Sequence, residues 1–536
     1  MKIIFILLLA FYIANLASTP PVMPEVRSIF GTTGNAEARE YFEQGLLLLH
    51  NFEYPDAADL FRKAQAKDPD FALAYWGEAM TCNHPVWLSQ DTEDARAILN
   101  SYRAASAGKL VKLSSLDSDL VASLELLYGR GSKAERDKAY AEFMGSLSQK
   151  YAGNHDVAAF YSLALLGQAA GWNEGLCTQA AVVAGEVLRE NPKHAGALHY
   201  FIHAQDHPDF ANNAWEQAND YAEVASYSGH ALHMPSHIYL ALGRWNDVVR
   251  SNEVSWQAGV YRKESRKLSN NSLNYHAHWW LAYGYLQQGR YEKAREIIAA
   301  QEQFTLGLPS PSSRNHFVIM RGHYLAETNE WKNKIANIRF ETSDLRIGIR
   351  SLDRFVLGLR AFKNGDLNTL IELTGEIERD IKQARQVRRM SEGIADCGTA
   401  GYDAEANLTQ AAILVEELKA LVAYSKKDWK LADSHFQNAV TLEEKNGHFF
   451  GPPEILKPTN EFYGEFLLAT NRPDEAIANF RISLRKAPGR NQSLHGLAKS
   501  LSLSGDAGGA KKIRDALHEN LAKADTAEIN LFFSTP

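Results

Sequence analysis

The sequence predicts an all-α fold, a solenoid of stacked helix–turn–helix repeats. The first observation is length, because 536 residues exceed the roughly 250–300 residues at which a single hydrophobic core stops growing. The second is a 34-residue recurrence of small and aromatic residues. The third is that alternating apolar and polar runs, typical of strands, are nearly absent. A core that grows by one helix pair at a time satisfies all three observations.

The recurrence is clearest in two segments of the chain. Small, aromatic, small and proline residues follow Gly45 at spacings of 12, 16, 19 and 24, and the same spacings recur from Gly464. Small residues let two antiparallel helices approach, the aromatic ring fills the space beside them, and the proline ends the second helix. The segments that show the pattern, in whole or in part, are Gly45 with Ala57, Phe61, Ala64 and Pro69; Gly464 with Ala476, Phe480, Ser483 and Pro488; Ala420 with Ala432, Phe436 and Ala439; and Ala498 with Ala510.

The N-terminus has the layout of a secretory signal peptide. In Met1–Ser18 one lysine precedes an apolar run, and small residues follow at Ala14, Ala17 and Ser18. The apolar run is shorter than the about 20 residues that a membrane span needs. We therefore expect an exported protein, periplasmic or secreted, with no membrane span after the leader is removed.

After the leader, the sequence predicts helices throughout. Residues 19–390 are expected to form N-terminal and central helical repeats, with a histidine-rich region over 194–278, and residues 391–536 the C-terminal repeats. Loops rich in glycine or proline interrupt the pattern at Ser391–Asn407 and Gly447–Asn460. In the central region, amphipathic patterns predict single helices over Asp70–Thr81, Val157–Gly167, Ala195–Gln205 and Tyr275–Leu286.

Composition and motifs exclude several classes of function. The net charge is −7, the pI is about 6.2, and no long basic run is present, so we expect no nucleic-acid partner. Three cysteines, Cys82, Cys177 and Cys397, allow one disulfide at most. The sequence contains no nucleophile elbow, phosphate-binding loop, dinucleotide fingerprint or His-Glu-x-x-His zinc motif. No catalytic residue follows from a motif.

Histidine is the unusual component, because nine of the 18 histidines fall within residues 194–278. His199 and His203 share a face of a predicted helix, and His233 and His237 repeat the four-residue spacing. The offset from His199 to His233 is 34 residues, and the offset from His203 to His237 is the same. In a 34-residue solenoid such pairs occupy equivalent positions on helices about 10 Å apart. The four imidazoles therefore predict one four-nitrogen site for a transition metal such as copper, zinc or nickel.

Further residues extend this predicted site. His230 lies just before the second pair, and of His276 and His278, which are two apart, only one can face the site from a helix. Met234 is a soft ligand that would favour copper over zinc. Asp206 is a candidate orienting carboxylate or catalytic base.

Two alternatives without a metal stay open. The region is rich in aromatic residues, among them Trp279 and Trp280, so the histidines would form a buried hydrogen-bonded network or line a ligand groove. Pro235 adds a complication, because proline suits the first turn of a helix and would set His233 just before that helix.

A resemblance to a known family rests on the repeat and on six segments: Ala74–Gly77, Leu198–Ala204, His230–Gly243, Tyr275–Trp279, Gly451–Pro453 and Ser493–Leu501. The repeat resembles the tetratricopeptide repeat (TPR), and the chain resembles a group of large bacterial TPR proteins, with weaker similarity to animal tetratricopeptide repeat protein 38. The resemblance implies a TPR-like α-solenoid and a shared histidine set of His199, His203, His233 and His237, with His230 close behind. It implies no particular reaction.

Three hypotheses for the function follow. The leading one is an exported TPR-like scaffold that binds a protein, peptide or ligand in its groove, around a central histidine-rich pocket that is a candidate metal site. The second is a transition-metal-dependent enzyme in which the four histidines hold copper or zinc with an open coordination position. The third is a structural scaffold whose histidines belong to the core.

Overall fold

The computed structural model describes residues 33–109, 113–169, 171–391, 400–447 and 450–525. Over these residues the chain is an all-α, TPR-like solenoid, which confirms the predicted fold class. Its two short strands, β1 (Asn83–His84) and β2 (Ser89–Gln90), pair antiparallel. Among the described helices, none is long and apolar enough to cross a membrane. The leader predicted over Met1–Ser18, and Cys397, lie outside the described residues.

The helices follow one another through mostly short connections. Their bounds are α1 (Ala36–His50), α2 (Tyr54–Lys67), α3 (Ala72–Met80), α4 (Thr92–Ser106), α5 (Ser115–Leu127), α6 (Lys133–Lys150), α7 (His155–Gly167), α8 (Glu174–Glu190), α9 (Ala195–Ala204), α10 (Trp215–Val224), α11 (Gly229–His233), α12 (Pro235–Ala241), α13 (Trp245–Ser265), α14 (Tyr275–Gln287), α15 (Tyr291–Gly307), α16 (Pro311–Thr328), α17 (Ile347–Lys363), α18 (Leu367–Ser391), α19 (Ala400–Ser425), α20 (Trp429–Asn446), α21 (Thr459–Ala469), α22 (Pro473–Lys486), α23 (Asn491–Leu503) and α24 (Ala507–Asn520).

The helices predicted for the central region are all present. They are α3, α7, α9 and α14, and each begins and ends close to the position that the amphipathic pattern predicts. In contrast, α19 already begins at Ala400, so part of the loop predicted over Ser391–Asn407 is helical.

Seven helix pairs in the described chain are joined by the same three-residue turn. Its middle residue has a left-handed φ between 56° and 85°, and the next amide donates to the carbonyl five residues earlier, as from Arg244 to Tyr239 at 2.7 Å. This is the Schellman arrangement, which favours glycine because glycine has no Cβ. Three turns depart from this preference, with a phenylalanine, a lysine or an asparagine there. The middle residues are Phe52, Gly243, Gly289, Gly365, Lys427, Asn471 and Gly505.

Successive helix pairs interlock through an aromatic ring held between two glycines. The Phe61 ring on α2 lies between Gly45 on α1 and Gly77 on α3. A methyl group on Gly45 would lie 2.8 Å from that ring, and one on Gly77 would lie closer still. One ring therefore fixes the spacing both within its own pair and to the next pair. The same arrangement, with 16 residues on each side of the ring, recurs as Gly464, Phe480 and Gly496.

The solenoid coils so that its N-terminal end packs against its middle. The Asn51 side chain donates to the Tyr227 hydroxyl and accepts from the Tyr221 hydroxyl, both at 2.7 Å. Asp56 pairs with the Arg262 guanidinium at 2.9 Å, across 206 positions of sequence. Contacts at this separation cannot come from neighbouring repeats, so they close a turn of the coil.

The C-terminal end also returns to the middle. The buried Arg490 guanidinium donates to Glu461 at 2.7 Å and to the Tyr283 hydroxyl at 2.8 Å. The backbone amide of Asn491 donates to the Gln287 side chain at 2.9 Å. These contacts join residues before and after position 390, which is where the sequence suggested a boundary between two regions.

Two large hydrophobic clusters meet at α9. Leu198 and Ile202 belong to the cluster that continues into the C-terminal half, whereas Tyr200 and Ala204 belong to the cluster built mainly by α1–α8. The helix that carries His199 thus lies between the two cores, where neighbouring packing holds its side chains in place.

The glycine–phenylalanine contact gives a stability prediction. We expect Gly496→Ala to lower the free energy of unfolding by about 1–3 kcal/mol, because the added methyl would overlap the Phe480 ring. The midpoint of urea unfolding, followed by circular dichroism, measures the change. Gly185→Ala is the control, since its methyl would make ordinary contact at 3.6 Å and should stabilise α8 by about 0.5–1 kcal/mol. Equal effects of the two substitutions would contradict the prediction.

Candidate metal centre

Six histidines from four helices meet beside the junction of the two hydrophobic clusters. The His194 ring caps α9 by accepting from the Ala197 amide at 3.1 Å, and the Ser228 hydroxyl caps α11 at the Ala231 amide, also at 3.1 Å. Pro235 begins α12, where its missing N–H costs nothing. The six side chains are His199 and His203 on α9, His230 and His233 on α11, His237 on α12 and His276 on α14.

The first cluster, defined as His199, His203 and His230, brings three Nε2 atoms together. The Nε2 of His199 lies 3.2 Å from the Nε2 of His203 and 3.2 Å from the Nε2 of His230. Its Nδ1 donates to the backbone carbonyl of His50 at 2.6 Å, so its Nε2 carries a lone pair. One lone pair cannot serve two neighbouring donors well, so hydrogen bonding alone does not account for the three convergent nitrogens.

The second cluster, defined as His233, His237 and His276, repeats this chemistry. His233 donates from Nδ1 to the Asn252 side-chain oxygen at 2.6 Å, and the Asn252 amide nitrogen is held by a backbone carbonyl at 2.8 Å. His237 donates from Nδ1 to Asp206 at 2.5 Å. Both Nε2 atoms therefore carry lone pairs, and they face each other at 3.2 Å.

The spacing within each cluster fits a bound transition-metal ion. Two nitrogens at 2.0–2.1 Å from a tetrahedral zinc or copper ion lie about 3.3–3.4 Å apart, and the observed distances are 3.2 Å. In each cluster the three ligand atoms all lie within 4.8 Å of one another. Facing lone pairs repel unless a cation lies between them, so these residues are placed as ligands of a transition-metal ion would be.

Burial favours the neutral, metal-binding form of five cluster imidazoles by lowering their pKa values. It lowers the pKa of His199 to about 3, outweighing the hydrogen bond to the His50 carbonyl. Burial, followed by the neighbouring imidazoles, also lowers the pKa of His203, His230, His233 and His276 well below the ordinary value. Neutral imidazole is the ligating form, so protons compete weakly for these nitrogens at neutral pH.

Aromatic rings cover both clusters. The Phe52 ring lies 4.3 Å from the His199 ring and 5.9 Å from the His203 ring, centroid to centroid. The Trp280 ring lies 4.5 Å from the His237 ring. Phe52, like Lys427 and Asn471, has a positive φ at the turn position that glycine usually occupies.

One side of the clusters faces solvent. His203, His230 and His276 are only partly buried, whereas His199 is fully buried. Trp87 lies 5.9 Å from the His230 ring and is 53% exposed, which is unusual for a tryptophan beside a buried polar cluster. This side provides a route by which an ion or small molecule reaches the imidazoles.

A third group, His50, Asp156 and His194, has a different character. The Nε2 atoms of His50 and His194 lie 3.0 and 3.2 Å from the same Asp156 oxygen. The remaining His50 nitrogen is 2.9 Å from the Tyr200 hydroxyl, and that of His194 accepts from an amide at 3.1 Å. All four ring nitrogens have hydrogen-bond partners, so this group is a structural network that supports α9 and the His50 carbonyl.

The four histidines of the predicted single site are divided between the two clusters. His199 and His203 lie in the first, and His233 and His237 lie in the second. The regular helix is interrupted at Met234, so two short helices, α11 and α12, lie opposite α9 in place of one. Each pair then completes its set with a third histidine that the sequence had offered as secondary, His230 or His276.

The other predicted residues lie as follows. Asp206 holds the Nδ1–H of His237, so it orients a ligand, and it is nearly fully buried. Met234 is fully buried in the hydrophobic core. His278 faces away from the clusters: its ring stacks on Trp256 at 3.8 Å, and its Nδ1 lies 2.9 Å from the Gln301 side-chain oxygen.

Sequence reasoning missed three groups that shape the centre. They are the carbonyl of His50, the side chain of Asn252 and the ring of Phe52. His50 lies 149 positions from His199, and Asn252 is an ordinary helix residue, so neither carries a signal. A phenylalanine at the glycine position of a repeat turn is the one feature that could have been noticed.

Comparison with known proteins gives architecture only. No protein-family model and no curated protein matches the sequence. Among solved structures, the APC/C Cut9–Hcn1 hetero-tetramer is similar over 99% of this chain and 82% of that one, with 13% identity and a TM-score of 0.33. The human IFIT1 dimer with PPP-AAAA is similar over 94% of this chain and 98% of that one, with 12% identity and a TM-score of 0.34. The P58(IPK) TPR domain is similar over 88% of this chain and 99% of that one, with 13% identity and a TM-score of 0.20. Such values transfer neither function nor partner.

The third group gives a stability prediction. Burial opposes ionisation of Asp156, but hydrogen bonds from His194 and His50 outweigh it and hold its pKa below the ordinary value. We expect Asp156→Ala to destabilise the protein by about 2–4 kcal/mol at pH 7, because two buried N–H groups lose their acceptor. Because the folded pKa is depressed, this contribution is present above the ordinary aspartate pKa and is lost as pH falls through the folded value.

Urea unfolding between pH 3 and pH 7 measures this effect. Glu190→Ala is the matched control, because it removes a carboxylate that pairs with His155 at 3.0 Å but is 71% exposed. We expect the control to change stability by less than about 1 kcal/mol. A loss for Asp156→Ala no larger than that of the control would contradict a structural role for the network.

Proposed function

We propose that this chain is a metal protein in which a helical-repeat scaffold binds two transition-metal ions, one in each three-histidine cluster. The observation that supports this most directly is the pair of facing Nε2 atoms of His233 and His237, 3.2 Å apart. Their Nδ1 protons are already committed to Asn252 and Asp206, so no hydrogen lies between them. Three protein ligands per ion leave an open position, as in reactive rather than purely structural sites.

The surroundings of the clusters support the same proposal. Each of the three best-defined ligands has its second nitrogen fixed by a carbonyl, an amide or a carboxylate, which is how metal-binding histidines are oriented. All but His276 lie in the two segments whose histidines the resemblance to the large bacterial TPR proteins supports, Leu198–Ala204 and His230–Gly243. With the export predicted from Met1–Ser18, the proposal is of a periplasmic or secreted metal protein.

A groove between the C-terminal helices favours a second function, the binding of a protein partner. It has a volume of about 810 Å³ and is lined by α18, α19 and α20. Four basic and two acidic side chains line it, a net charge of +2, and both acidic ones pair with Lys419. The partner that fits is an acidic extended peptide. The basic residues are Lys382, Arg385, Lys419 and Lys445.

Metal content tests the main proposal. We expect full-length protein, loaded with copper or zinc and dialysed, to retain two ions per chain by elemental analysis. His203→Ala should remove one ion, His237→Ala should remove the other, and the double variant should retain none. Asp206→Asn should weaken only the second cluster, by about 10–100-fold, because it alters the support of one ligand.

Two controls accompany these variants. His278→Gln removes a buried histidine outside both clusters and should leave two ions bound. Asp209→Asn removes an exposed carboxylate three residues from Asp206 and should leave both affinities unchanged. Circular dichroism establishes that each variant is folded. Protein that binds no metal would refute the proposal, and so would unchanged metal content in His203→Ala and His237→Ala.

Peptide binding tests the second function. We expect an acidic peptide to bind with an affinity that falls as salt rises, and Lys382→Glu with Lys445→Glu to weaken it by more than about tenfold. Fluorescence anisotropy on the full chain measures this. Lys511→Glu with Lys512→Glu, two exposed positions of α24, is the charge-matched control. Binding that is unaffected by the groove substitutions would exclude this groove.

A further inference from the structure

The rings of the two clusters lie about 1 Å farther from one another than the bonded neighbours within a cluster, so the clusters adjoin. The His203 and His237 rings are 5.7 Å apart, and the His230 and His233 rings are 6.3 Å apart, although each pair spans the two clusters. Within the first cluster, the rings are 4.9 and 5.0 Å apart. One ion in each cluster would therefore have the other ion as its neighbour, an arrangement in which a small ligand can bridge two metals, as in two-metal sites.

We propose that the clusters form one binuclear copper centre whose substrate is dioxygen, bound between the two ions. This inference rests on the proposed metal-binding function and names its metal and ligand. Six imidazoles from the two clusters are the donors. Imidazole suits copper in both of its common oxidation states, whereas a mixed carboxylate set would favour iron or manganese.

Electrostatics favours copper in its monovalent state at rest. In the described chain one carboxylate, Asp206, hydrogen-bonds to a cluster imidazole. Two zinc or cupric ions would add four positive charges to a buried site, and buried charge without compensation is strongly unfavourable. Two cuprous ions add only two charges, of which Asp206 offsets one. The aromatic rings of Phe52 and Trp280 beside the clusters raise the cost of excess charge further.

Dioxygen fits this charge balance. Each cuprous ion gives one electron, so two cupric ions form and dioxygen gains two electrons to become a bridging peroxide. No proton and no external reductant is needed for this step, and no bond to the protein forms or breaks. The metal–oxygen unit carries two positive charges before and after the step, so the pocket meets no new net charge. Release of dioxygen reverses both electron transfers.

The surroundings suit an apolar gas that must be kept from bulk water. Phe52 and Trp280 lie over opposite clusters. The partly exposed His203, His230 and His276 mark the open side. A small apolar molecule can enter there, while the ring-covered interior limits water and protons that would decompose a bound peroxide.

Oxygen binding by copper-loaded full-length protein tests the inference. Protein is loaded with cuprous copper without air, shown to hold two coppers per chain, and then exposed to dioxygen. We expect uptake of one dioxygen per two coppers at an oxygen electrode and a new near-ultraviolet charge-transfer band. Two bridged cupric ions couple their spins, so we also expect no cupric signal by electron paramagnetic resonance.

Variants separate this inference from metal binding itself. His203→Ala should keep copper in the second cluster but lose the dioxygen uptake and the band, whereas His278→Gln should keep both. Two coppers that take up no dioxygen, or that give the resonance of isolated cupric ions, overturn the inference and leave the metal-binding proposal intact. Protein that binds two zinc ions and has no affinity for copper also overturns the inference and leaves the metal-binding proposal intact. Protein that binds no metal overturns both.

Discussion

The close approach of helix backbones at glycine is the constraint on which the rest of this structure depends. Phe61 packs between Gly45 and Gly77, so a single ring sets the distance within one helix pair and to the next. The left-handed turn then returns the chain at a fixed angle. Repeated along the chain, these two local rules produce a coil and not a straight rod, because each pair is rotated slightly against the last.

That coil explains why the histidine clusters can exist. The 34-residue repeat places α9 beside α11 and α12, but the stacking of successive repeats alone supplies only pairs of imidazoles. The third ligand of the second cluster comes from α14, and supporting groups come from α13 and from the end of α1. Asn252 and the His50 carbonyl each fix which nitrogen of a ring carries the proton, and the lone pairs converge for that reason. The repeat brings the ligands near, and contacts from outside the repeat orient them.

The sequence therefore predicts the fold much better than the centre. Glycine, phenylalanine and proline at fixed spacings reflect local packing, so the repeat and the helices around His199 and Tyr275 could be predicted. The four-residue histidine pairs and Asp206 could also be singled out. Their division into two clusters could not, because it depends on the break at Met234 and on long-range packing. The structure assigns His276 and not His278 to a cluster for the same reason: helix rotation is set by neighbours that spacing does not reveal.

The centre and the coil are also coupled energetically. The first cluster is backed by Phe52 and by the His50 carbonyl, whose helix pair joins the middle of the chain through Asn51 and Asp56. Facing lone pairs and a strained turn oppose this closure, while buried hydrogen bonds and the ion pair favour it. Ions in the clusters would remove the lone-pair repulsion only in the closed coil, so they would stabilise closure between distant repeats more than any single repeat.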